Sequence, residues 1–90
     1  MQELRLIDDN GYLVIVPGHD TVIVLDDDAD TTEAEAQLRK IAEIDADIWR
    51  GVAREHAMAL GGENTVNGRL ALAKVRQYDA RKYTIRRTTV

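Results

Sequence analysis

Two histidines and a run of aspartates are the residues in this 90-residue chain whose types could do chemistry. His19-Asp20 sets an imidazole beside a carboxylate that could orient it, as a general base requires. Its setting, Pro17-Gly18-His19-Asp20, is also ordinary turn composition, and the turn is the better-supported reading. Asp26, Asp27, Asp28 and Asp30 offer oxygens to a hard cation, but the ligand order, central glycine and closing glutamate of an EF-hand loop are missing. Glu55-His56 lacks the second histidine of a helical zinc motif. Serine and cysteine are absent, which removes the commonest nucleophiles together with disulfides and thiolate metal sites. Gly61-Gly62 has neither the spacing nor the lysine of a phosphate loop. No catalytic residue, no metal site and no cofactor is therefore expected, and the chain reads as a non-enzyme.

Charge offers a second kind of chemistry. The net charge is −4, but residues 1–62 hold 14 acids against five bases, whereas residues 63–90 hold seven bases against two acids. The seven are Arg69, Lys74, Arg76, Arg81, Lys82, Arg86 and Arg87, with Tyr78 and Tyr83 interleaved. Cations and tyrosines in this mixture suit an anion or a nucleic acid, through phosphate neutralisation and base stacking. A pI near 5.0 opposes that use, because a dedicated nucleic-acid binder carries a basic domain. Self-neutralisation, within the chain or between copies, is the favoured reading of the split.

The elements that must position these groups follow from pattern. A chain of 90 residues and 44% hydrophobic content is expected to form one domain with a thin core. Leu4–Asp9 and Tyr12–Val16 flank Asn10-Gly11, which predicts a two-residue hairpin with Ile7 opposite Val14 and Leu6 opposite Ile15. After the Pro17-Gly18 break, Thr21–Leu25 reads as a third strand, completing a β-meander over residues 1–25. Strands two and three are apolar at both parities, so both faces of the sheet ask for cover. Residues 26–31 read as an acidic linker. Thr32-Glu33-Ala34-Glu35 has capping-box spacing and opens a long helix over 32–62 that Gly61-Gly62 stops. A basic helix is expected within 63–82, and a terminal strand or arm over 83–90. The fold class expected is α+β, with a small antiparallel sheet, one long helix and a second basic helix.

The long helix is also an assembly signal. Unbroken, it measures roughly 42 Å, against a radius of gyration of about 12 Å for a globule of this size. Its apolar arc contains Leu38, Ile41, Ile48, Trp49, Val52 and Leu60, with Asp45 and His56 near the middle. An antiparallel copy could face Asp45 with His56 and Trp49 with Val52 across a twofold axis. A helix broken near Asp45 or Asp47, either of which could cap a new helix, is the competing arrangement. Trp49 is then either an interface anchor or packing of the helix against the sheet.

Together these readings point to a non-enzymatic, self-associating protein-interaction module whose partners are a second copy and another protein. Nucleic-acid binding through the basic third is the second choice. The longest apolar runs, Leu13–Val16 and Val22–Leu25, fall far short of the roughly 18 residues of a membrane span. With no leader-like opening, a cytoplasmic location is expected, the host's if the chain is phage-encoded. The size suits a regulator, inhibitor or assembly component of a bacterium or phage.

Overall fold

Leu4 and Leu6 alternate with Arg5 along the first strand, and that alternation decides which way the sheet faces. The structure is a computed structural model that describes residues 1–89. Strand β1 (Gln2–Ile7) lies at the centre of a three-stranded antiparallel sheet, flanked by β2 (Val22–Leu25) and β3 (Thr84–Thr89) in the order β2-β1-β3. Helix α1 spans Thr32–Ala59 and helix α2 spans Val66–Lys74. This is the expected α+β class. Val90, the last residue of the expected terminal strand, lies outside the described residues. Among those described, no helix is long and apolar enough to cross a membrane.

The chain gathers into two units, one built from Met1–Asp45 with the residues from Ala80 onward, the other from Ala46–Asp79. Helix α1 is continuous from one into the other, so no break occurs at Asp45 or Asp47.

In the first unit the pairing Leu4↔Ile23 and Leu6↔Ile85 places these apolar side chains on one face of the sheet. Leu4 and Leu6 are fully buried there, as is Leu38 of α1, with Ile41 and Ala42 beside it on the helix. The opposite face carries Arg5 against Arg86, both exposed. One covered face is thus enough. Val24 stays half exposed on the other, so the expectation that both faces need cover is not met.

The hairpin register differs by one residue from expectation. The Asp8 amide donates to Tyr12 O (2.9 Å), and Ile7 faces Leu13 where Val14 was expected. The cause is Asp8, whose Oδ1 accepts from the amides of Asn10 (2.9 Å) and Tyr12 (3.0 Å). Those bonds favour a three-residue loop closed by Gly11 at φ 86° over the two-residue turn. Because a one-residue slip exchanges the faces of a strand, Val14 now joins Leu6 inside and Ile15 is 80% exposed. The segment Tyr12–Val16 forms no ladder of its own. At Leu6 the edge of β1 changes partner: its carbonyl accepts from Val14, and its amide already donates to Thr21 of the chain entering β2.

The opening of α1 also departs from the capping box. Its first helical bond runs from the Glu35 amide to Thr31 O (2.8 Å), and Asp30 Oδ1 accepts from the Thr32 amide (3.0 Å) and hydroxyl (2.7 Å). Those bonds, the hydroxyl first, hold the Asp30 carboxyl below the ordinary aspartate value. The acidic segment is no slack linker either, because Gln2 Nε2 donates to Asp26 O (2.9 Å) and Ala29 O (3.0 Å).

Candidate functional site

Thr65 and three glycines explain why the second unit folds back as it does. Helix α1 ends at Ala59, short of the expected residue 62; Gly61 follows with φ 105°, and a one-turn 3₁₀ helix over Gly62–Asn64 leads to α2. Thr65 clamps the turn: its hydroxyl donates to Leu60 O (2.5 Å) and accepts from the Gly68 amide (2.9 Å). That makes Thr65 the N-cap of α2. Gly68 is buried against Gly62, and a Cβ built on it would meet the Gly62 carbonyl oxygen and sit 2.5 Å from its nitrogen. Only glycine allows that approach. The expected basic helix over 63–82 is accordingly shorter: α2 stops at Lys74, and single 3₁₀ turns follow at Val75–Gln77 and Ala80–Lys82.

Close backbone packing has a consequence for the large side chains. The buried residues of this hairpin are mostly small: Ala46, Ala57, Gly62 and Gly68, with Val75 the largest. Trp49 is 47% exposed and Leu70 60% exposed, and Ile48, Val52, Met58 and Val66 also reach solvent. Trp49 stacks on Tyr78, with ring centroids 6.2 Å apart and planes 19° from parallel. Arg50 Nη1 holds the Tyr78 carbonyl at 2.9 Å, fixing the backbone beneath that stack. Between α1 and α2 lies a groove of about 440 Å³, floored by apolar groups including Trp49, Val52, Leu60 and Leu70. Its polar lining includes His56, Asn67 and Lys74, and none of the described residues lining it is an acid.

The eight residues expected to form one self-association arc are divided. Ile48, Trp49, Val52, His56 and Leu60 lie exposed on the hairpin. Leu38, Ile41 and Asp45 are buried in the sheet-bearing unit, which withdraws them from any surface that a second copy could reach. Asp45 is 7% exposed, and its Oδ2 accepts from the Tyr83 hydroxyl at 2.5 Å. Tyr83 is held a second time, by Arg39 Nη1 donating to its carbonyl (2.7 Å). The facing of Asp45 with His56 across a twofold is therefore replaced by a bond inside one chain. The reason is a contact 38 residues apart in sequence, which helical periodicity does not report.

The seven cations are likewise shared between the units. Arg69, Lys74 and Arg76 belong to the hairpin, where Arg69 Nη1 donates to Glu63 O (3.2 Å). Arg81, Lys82, Arg86 and Arg87 belong to the sheet unit. Arg87 Nη2 bonds Glu35 Oε1 (2.8 Å) and Thr31 Oγ1 (2.7 Å), an instance of the basic end neutralising the acidic part. Arg81 lines a second hollow, of about 270 Å³, with Arg39, Glu43 and Ala80. His19 lies in an exposed turn, its amide bonded to Val16 O (3.1 Å). Among the described residues, no group of three or more His, Asp or Glu is arranged to hold a metal ion.

Val66 and Leu70, apolar residues of α2 that face solvent, were not among the residues expected at an interface. Their spacing of four was the available signal. No family model, curated protein or solved structure matches this chain.

Proposed function

We infer that this chain is a non-enzymatic protein-interaction module that self-associates through the apolar face of the hairpin formed by the second half of α1 and by α2. One observation carries the reading: large side chains, with Trp49 and Leu70 foremost, stay exposed on a hairpin whose own interior is filled mostly by alanine and glycine. Contiguous exposed apolar surface of this kind marks interaction sites. Trp and Tyr supply interface energy out of proportion to their number, and here they are already stacked in place. The groove between the helices suits an apolar helix face, and a second copy brings one of the same size.

Trp49 is the chain's single tryptophan, so it reports on this surface directly. Its emission is expected to shift to the blue as protein concentration rises, and the shift is expected to vanish in Leu70→Asp. Emission independent of concentration, together with salt-sensitive binding of oligonucleotides, would replace this reading with nucleic-acid binding by the basic third.

A further inference from the structure

The groove between α1 and α2 has a chemistry of its own. Val52, His56 and Leu60 line it from α1, and Asn67, Leu70 and Lys74 line it from α2, each set at the spacing of one helix face. Trp49 also lines it, eleven residues before Leu60, so the groove follows α1 for about 16 Å. Its volume of about 440 Å³ falls within the roughly 300–1,000 Å³ of small-molecule sites.

Shape and charge together narrow what fits. A long, narrow, apolar furrow suits a linear chain. Among the described residues lining it, Lys74 brings a full positive charge and none brings a negative one. Lys74 is exposed and enters no ion pair among the described residues. His56 and Asn67 add N–H donors beside it. The chain as a whole carries a net charge of −4, so the positive sign of this groove is local. One ammonium with two such donors matches a monoanion; a phosphate dianion is better served by clustered cations or arginine forks.

We propose that the groove binds a linear apolar carboxylate of the medium-chain fatty-acid type, its head on the Lys74 ammonium and its alkyl chain along Val52, Leu70 and Leu60. The carboxylate and a second copy cover the same side chains, so each excludes the other. The site itself does not depend on self-association.

The test compares octanoate, 1-octanol and octylammonium, below micelle-forming concentrations, on the intact chain. The protein is kept dilute enough that Trp49 emission no longer changes with its concentration. Octanoate is expected to shift that emission to the blue and to bind about three- to fivefold more tightly than octanol, with octylammonium weakest. Lys74→Met keeps an apolar stem and removes the charge, and is expected to bring octanoate to within about twofold of octanol. Lys74→Glu is expected to invert the order of octanoate and octylammonium. No binding of octanoate, binding no tighter than that of octanol, or a preference that survives Lys74→Met would overturn the proposal. Each of those results would leave self-association to be judged separately by mass.

Discussion

The two units of this chain solve the same packing problem in opposite ways. In the sheet unit the largest apolar side chains are the best hidden, with Leu4, Leu6 and Leu38 wholly out of water. In the hairpin, glycine and alanine occupy the interior while Trp49, Leu70 and their neighbours face out. Both halves of α1 carry apolar residues at helical spacing, yet one half is core and the other is surface. Amphipathicity, then, says that a helix has an apolar face and does not say what covers it.

That contrast can be broken or sharpened by substitution, with stability measured by denaturant unfolding at concentrations low enough to keep the chain monomeric. The largest effect is expected from Leu38→Ala, about 2–5 kcal/mol, because it opens a cavity in a filled core. The same truncation at Leu70 is expected to cost less than about 0.5 kcal/mol, as at other exposed positions. Equal losses at the two sites would erase the distinction between core and surface.

Gly68→Ala attacks the hairpin where it is truly packed. The added Cβ collides with Gly62 backbone, not with a side chain that could swing away. A loss of about 3 kcal/mol is expected. Amide exchange should show protection falling over residues 62–75 while the sheet keeps its own. Tyr83→Phe removes the hydroxyl that serves the buried Asp45 carboxylate, and a loss of about 2 kcal/mol is expected. The smallest effect belongs to Asp30, which is fully exposed. Its carboxyl titrates below the ordinary value in the fold, so its contribution is present above the ordinary aspartate range and is lost as pH falls through the lowered one. The stability difference between wild type and Asp30→Asn should therefore be found at neutral pH and close in acid.

Much of the fold was legible because its signals are local. Asp30, Thr31 and Thr32 open α1 and Gly61 closes it, so the helix could be placed from composition alone, although the capping oxygen is that of Asp30. The hairpin was legible to within one residue. Asn10-Gly11 announced a turn, and the register went to the carboxylate of Asp8, which gains two amide bonds only in the longer loop. The basic helix was overextended, because nothing in Val75–Lys82 forbids helix, whereas the structure stops α2 at Lys74 and, after one 3₁₀ turn, has Tyr78 extended at φ −85°, ψ 90°. The candidate site was half legible. Ile48, Trp49, Val52, His56 and Leu60 stand where a surface arc needs them. Leu38, Ile41 and Asp45 were lost to it through burial in the sheet unit, where Tyr83 also bonds Asp45.

The account turns on the exposed face of the hairpin having a second copy as its cover. Sedimentation equilibrium of the intact wild-type chain over a wide concentration range tests this most directly. The predicted result is a reversible rise from 10.1 kDa to about twice that mass. A mass that stays at 10.1 kDa across the whole range, with Trp49 still in water, would contradict it.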